Sequence, residues 1–218
     1  MDLRLGRTEN EPTYWPVLSD LSITILLLLA LFLALTVLSG FKIRRRAQAL
    51  AQIQGVVAAK LHMETDTTGL HIYALGDSRQ RLTFSADLLF ATCKADLRPA
   101  GRAQIEAVGR VLAQYSPYLE SVDVEGHTDR GPVRTTADCP FDSNWELSSE
   151  RATSVVRVLS DGQFVPGNRL AATGYSEYRP VDPNNLDANR RVEIVLFYSV
   201  DAAVARMDSA QSSRRAGT

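Results

Sequence analysis

Two charged side chains of one strand–loop–helix unit have the chemistry to bind a zwitterion. Asp129 follows the predicted strand SVDVEGH, and Arg151 lies about two turns into a predicted helix that starts near Asn144. A carboxylate binds an ammonium group, and a guanidinium binds a carboxylate through two parallel hydrogen bonds. The alternative is a surface salt bridge, which is common and contributes little stability. Spacing alone leaves both interpretations open.

A further acid, Asp20, lies at the edge of a long apolar stretch. From Leu21 to Phe41 the chain has no charged residue, and a helix of that length spans about 30 Å, the thickness of a bilayer's hydrocarbon core. The stretch predicts a transmembrane helix over 14–41, with Tyr14 and Trp15 at one headgroup level. An acid at this depth is expensive unless it faces protein or ions, which favours a functional role. The alternative is that Asp20 caps the start of the helix.

Other chemistry finds little support in the sequence. There is no Gly-rich phosphate loop and no GxSxG, HExxH or CxxC motif. The histidines His62, His71 and His127 are scattered, which favours structural roles. We therefore expect a protein that is not an enzyme and needs neither a cofactor nor a metal. The net charge of -1 gives no reason to expect nucleic acid as a partner.

The segment after the apolar stretch predicts a helix with one apolar seam. The positions of this seam follow a heptad spacing, and they are Ile43, Ala47, Leu50, Gln54, Val57 and Leu61. Such a seam suits a parallel pair of helices from two copies of the chain. The alternative is an amphipathic helix that lies on the membrane or on the chain's own domain.

Strands then alternate with helices, which predicts one sheet with helices packed on one face. Pro99 opens one helix, and a second runs from Asn144 to Leu159. The expected organisation is a polar tail, a span, a juxtamembrane helix or linker, an α+β domain and a flexible C-terminal tail, with bounds 1–13, 14–41, 42–66, 67–200 and 201–218.

Four ordered motifs resemble the OmpA-like peptidoglycan-binding domain. They are EGHTD at 125–129, NxxLSxxRA at 144–152, GYSEYRPV at 174–181 and NRRVEI at 189–194. The resemblance runs from about Arg81 to Phe197 and implies a βαβαβ-type sandwich with a mixed sheet that binds the diaminopimelate of peptidoglycan stems. By this resemblance Asp129 and Arg151 clamp the diaminopimelate. The other residues that it implicates shape or support the pocket, and they are Thr128, Asn144, Leu147, Asn189 and Arg191.

The wider layout is similar to MotB-type stator subunits of ion-driven rotary motors. In that family the aspartate of the single span carries the translocated ion, H⁺ or Na⁺, a role that Asp20 matches by position. The resemblance implies a homodimer inside a ring of five multi-span A-type subunits. The segment 42–66 is short, and the usual Tyr-Ala-Asp-Phe context of the acid is absent. With these departures, the compact layout of the chain resembles the B-subunit of the Zorya anti-phage system. The alternatives are a flagellar motility stator and a static wall tether without ion transport.

Peptidoglycan binding implies an inner-membrane protein with a cytoplasmic N-terminus and a periplasmic domain. The basic run Lys42–Arg46 argues for the reverse orientation by the positive-inside rule, and the resemblance outweighs it. A periplasmic location makes a disulfide between Cys93 and Cys139 plausible, the alternative being two free thiols.

Overall fold

The computed structural model describes residues 14–65, 69–76 and 78–216. The predicted tail 1–13 and the predicted domain boundary at 66/67 lie outside the described residues. The described chain falls into two compact units, one that ends at Arg44 and one that begins at Arg45.

The first unit contains the whole apolar stretch, which lies inside helix α1 (Trp15–Glu64). Its side chains are open to the surroundings, and Leu26, Leu27 and Leu28 are each 65% exposed. The hydroxyls of Ser22 and Thr24 donate to carbonyls of the preceding turn, so the helix satisfies these polar groups internally, as lipid requires. Among the described residues, α1 is the one helix that is long and apolar enough to cross a membrane.

The second unit begins with the last turns of α1, which pack against their own domain. Leu50, Ile53, Val57 and Leu61 are at most 2% exposed and belong to one core cluster with the sheet. The prediction that this seam pairs with a second copy is therefore wrong. Gln54 also faces inward, where its amide donates to the carbonyl of Arg79. An apolar seam is satisfied by any apolar partner, and here the nearest one is the chain's own domain.

Five strands form one mixed sheet. Their bounds are β1 Leu70–Ala74, β2 Arg79–Ser85, β3 Leu119–His127, β4 Leu170–Gly174 and β5 Arg191–Tyr198, and their order is β1-β2-β5-β3-β4. Strands β3 and β4 pair in parallel, and all the other pairs are antiparallel. The parallel pair needs a crossover connection, which helix α4 (Asn144–Asp161) supplies. The predicted α+β class with a mixed sheet is confirmed.

Three more helices precede or connect the strands, namely α2 (Ala86–Leu89), α3 (Pro99–Tyr115) and α5 (Leu186–Asn189). Pro99 stands at the first position of α3, as predicted, because its missing N–H would be unpaired there in any case. One sheet face alternates into the core: Val122 and Val124 of β3 and Ile194 of β5 are fully buried. The other face carries most of the sheet's charged side chains.

The C-terminal segment corrects another expectation. The sequence predicted a flexible tail over 201–218, but Val200–Ala216 form helix α6. Val200, Ala203, Val204 and Met207 follow helical spacing and pack on the core cluster. The small polar residues between them hid this apolar stripe. Residues 217–218 lie outside the described part.

Candidate functional site

The end of β3 lies directly against the first turns of α4. A Cβ atom on Gly126 would stand 2.0 Å from the Ser148 carbonyl oxygen, so only glycine allows this close approach. Ser143 caps α4 by accepting a hydrogen bond from the Glu146 amide. The residues that follow β3 are thereby held beside the start of the helix.

A cavity of about 700 Å³ opens at this junction. It brings together five of the predicted site residues, which are Thr128, Asp129, Asn144, Leu147 and Arg151. Its wall also carries charges of both signs, contributed by Asp87, Arg98, Arg134 and Arg190. A cavity lined by acids and bases together suits a ligand that carries both charges.

Arg151 is the buried cation of this cavity. Its side chain stands over the Phe90 ring, with 5.2 Å from Cζ to the ring centroid, and the residue is 5% exposed. The Nε–H donates to the Lys94 carbonyl at 3.0 Å, and Nη2 donates to the Ala91 carbonyl at 3.4 Å. Burial lowers the pKa of Arg151 to about 10, so it stays charged at neutral pH. The two bonds use two of its five N–H donors and fix its position.

Asp129 forms an ion pair with Arg190 and not with Arg151, so the alternative interpretation of a surface salt bridge between Asp129 and Arg151 does not hold. Its Oδ2 accepts from Arg190 Nη1 at 2.9 Å, and its Oδ1 accepts from the Gly131 amide at 2.7 Å. The idea of a direct Asp129–Arg151 salt bridge is not what the structure contains. The two side chains instead line one cavity as separate charged groups.

Sequence reasoning missed Arg190, the first arginine of NRRVEI. Its guanidinium binds Asp87 at 3.0 Å, Asp129 at 2.9 Å and Asp187 at 2.6 Å. These carboxylates, Asp87 foremost, raise the pKa of Arg190. The motif itself was the available signal, but it did not indicate which of its two arginines reaches the cavity.

Asn189 and Arg191 do not line the cavity. The side-chain Oδ1 of Asn189 accepts hydrogen bonds from the backbone amides of Val181 and Asp182, which fixes the preceding loop. Arg191 is buried and donates from Nε to Glu193 Oε1 at 2.6 Å. Both residues thus have structural contacts in the fold, and a direct ligand contact from this cavity is not open to them.

Asp20, in the first unit, lies within α1 rather than at its start. The helix begins at Trp15, and an N-cap stands immediately before the first helical residue. Asp20 is therefore not the N-cap that the alternative interpretation required, and its side chain is exposed.

A disulfide joins Cys93 and Cys139, the pair that the sequence suggested. Cys93 precedes α3, and Cys139 belongs to the long loop before α4. Both line the cavity. The bond therefore ties the two loops that form one side of the site.

We expect Cys139→Ser to lower the free energy of unfolding by about 4 kcal/mol, because the bond closes a loop across a sequence separation of 46. Chemical denaturation of the chain under non-reducing conditions measures this difference. A reductant should cause the same loss in the unchanged protein and no further loss in the variant. Equal denaturation midpoints for the two proteins would show that the bond contributes nothing.

A second polar cluster lies on the other face of the sheet, where Glu125, His127 and Glu193 have ligand atoms within 4.8 Å of one another. Burial lowers the pKa of His127, which favours the neutral imidazole that a metal needs. Glu193, however, already pairs with Arg81 at 2.7 Å and with Arg191 at 2.6 Å. Two guanidinium groups at one carboxylate repel a divalent metal ion and occupy its oxygen ligands. This cluster is therefore best described as a buried ion-pair network.

Comparison with known proteins finds similarity to the OmpA family and to MotB-like proteins. Residues 89–193 match the model of the OmpA family. Motility protein B of Bacillus subtilis is 29% identical over 120 residues, which are 53% of this chain and 44% of that protein. The chain spans less than half the length of the first curated relatives that it matches.

Two solved structures are similar over nearly their whole length. A putative MotB-like protein from Desulfovibrio vulgaris is 25% identical with a TM-score of 0.62, and the match covers 72% of this chain and 95% of that one. The cell wall anchor of the T6SS from Pseudomonas aeruginosa is 28% identical with a TM-score of 0.56, covering 66% and 97% respectively.

Proposed function

We propose that the chain is a cell-wall anchor with a MotB-like OmpA domain whose cavity binds the diaminopimelate of peptidoglycan stems. The observation that carries the proposal is the cavity itself, in which buried Arg151 and the carboxylate of Asp129 line one wall. The similarity to a cell wall anchor of known structure supports the same function.

The side chain of diaminopimelate ends in a carbon that bears both an ammonium and a carboxylate. In the proposed complex the ligand's carboxylate accepts hydrogen bonds from the remaining N–H groups of Arg151, and the ligand's ammonium lies close to Asp129. Asp129 already accepts from Arg190, so the ammonium enters a cluster in which Asp87 and Asp187 continue to hold Arg190. Thr128, Asn144 and Leu147 form the wall around the ligand.

The membrane part of the proposal concerns α1 and Asp20. The first unit is the single inner-membrane span, with the N-terminus in the cytoplasm and the domain in the periplasm. Asp20 carries H⁺ or Na⁺ through a stator formed by a homodimer and a ring of multi-span A-type subunits, and the motor serves anti-phage defence. The support is that Asp20 lies inside an apolar helix and is not its cap. The homodimer then forms through surfaces other than the buried seam of α1.

A second candidate is a static tether that holds the wall without moving ions. The similarity to the T6SS cell wall anchor, which covers 97% of that chain, favours it as much as the motor. The two candidates share the wall-binding cavity and differ in whether Asp20 is needed.

Sedimentation with purified peptidoglycan tests the shared function. Full-length chain in detergent should pellet with diaminopimelate-type peptidoglycan and much less with lysine-type peptidoglycan. Lysine lacks the one carboxylate that Arg151 would bind, and losing such a buried charge pair costs about 2–5 kcal/mol, a weakening of about 30-fold or more. Free diaminopimelate should compete. Equal pelleting with both wall types would contradict the proposal.

A further inference from the structure

An exposed aromatic stack lies at the start of α4. The rings of Trp145 and Tyr178 are 5.5 Å apart between centroids with an interplanar angle of 27°. Trp145 is nevertheless 50% exposed and Tyr178 67% exposed. The two rings therefore leave a large apolar area open to solvent that does not belong to the core of the domain.

The loop that carries Tyr178 is fixed by contacts on both sides. The Ser176 amide donates to Ser148 Oγ at 3.1 Å, and the Ser176 carbonyl accepts from the Thr128 amide at 3.0 Å. The Tyr175 ring stacks on the buried His127 ring. The Arg179 guanidinium lies over the Tyr175 ring, with 3.7 Å from Cζ to the ring centroid. Tyr178 therefore projects from an anchored loop, and the aromatic surface is already formed before any ligand binds.

The stack adjoins the cavity through Asn144, although neither ring lines the cavity itself. Trp145 directly follows Asn144, which lines the cavity and whose amide donates to the Gly131 carbonyl at 2.9 Å. Glu177, next to Tyr178, is also near Asn144: hydrogen bonds from the Ser176 hydroxyl foremost, then from the Glu177 backbone amide and from the Asn144 side chain, lower the pKa of the Glu177 carboxyl. Asn144 thus connects the cavity with the helix turn and the loop that carry the two rings.

We infer that the Trp145–Tyr178 stack is a sugar subsite that takes one pyranose ring of the glycan to which the bound stem is attached. This inference rests on the proposed function. One face of a pyranose presents several C–H groups, which pack on the electron-rich face of an aromatic ring. The size also fits: two rings match one sugar, whereas a stable protein partner needs about 800 Å² of surface on each side.

Calorimetric titration of the full-length chain in detergent tests the subsite with two ligands. One is the tripeptide that ends in diaminopimelate, and the other is the same tripeptide on its disaccharide. We expect the sugar-bearing ligand to bind about tenfold tighter. In Trp145→Ala, and separately in Tyr178→Ala, this advantage should disappear while the affinity for the free tripeptide stays unchanged. Trp145→Phe, which keeps a ring, should retain most of the advantage.

Three results would overturn the inference. The first is equal affinity of the unchanged protein for the two ligands, which would leave wall binding intact but remove the subsite. The second is an equal loss of both affinities in both alanine variants, which would mean that the rings only support the cavity. The third, binding of neither ligand to the unchanged protein, would overturn the proposed function and the subsite with it.

Discussion

Arg151→Ala is expected to abolish sedimentation of the chain with diaminopimelate-type peptidoglycan. The guanidinium is the buried cation of the cavity and is held in place by the Lys94 and Ala91 carbonyls. A ligand carboxylate that enters the cavity would lose its charged partner, at a cost of about 2–5 kcal/mol. The bound fraction at a fixed peptidoglycan concentration, measured by sedimentation, should fall to the level of the buffer control.

Alanine at this position also leaves two backbone carbonyls without their donor, so the fold must be checked by thermal unfolding. Arg151→Lys keeps the positive charge but has no planar fork, and we expect it to bind with intermediate affinity. Arg157→Ala is the matched control, because Arg157 lies on the same helix, is exposed and pairs only at the surface with Glu150. A folded Arg151→Ala protein that pellets as well as the Arg157→Ala control would refute the proposed clamp.

Asp20→Asn is expected to abolish the ion-driven activity and to leave assembly intact. The amide has nearly the shape of the carboxylate, so helix packing is preserved, but it cannot bind and release a cation. Two measurements separate these effects: co-purification with the multi-span ring subunit reports assembly, and protection of cells against phage reports activity. The expected result is unchanged co-purification and complete loss of protection.

Two controls sharpen this experiment. Asp20→Glu keeps the carboxylate and should retain part of the activity. Ser22→Ala removes a hydroxyl that donates only to the Leu18 carbonyl of its own helix, and it should have no effect. Full activity of Asp20→Asn would leave the static wall tether as the function of the chain.

Short-range sequence patterns were sufficient to predict much of the fold and part of the candidate site. Charge-free length predicted the helix over 14–41, which is the first part of α1, and the strand–loop–helix unit predicted that Asp129 and Arg151 face one groove. These inferences succeed because residues joined by one short connection can lie only a small distance apart. The sheet class followed in the same way from the alternation of strands and helices.

The tertiary structure decided which partner each surface meets. The seam of α1 from Leu50 to Leu61 has the same spacing whether it faces a second copy or its own sheet, and only the fold shows that it is buried in the domain. Spacing likewise leaves open whether Asp129 pairs with Arg151 or with Arg190. The partner of Asp129 depends on where α5 ends and on how β5 pairs with β3. Arg190, between α5 and β5, reaches the cavity and binds Asp129. Arg191, the first residue of β5, lies opposite His127 in the sheet. Such contacts join residues that are far apart in the chain, and only the packed sheet brings them together.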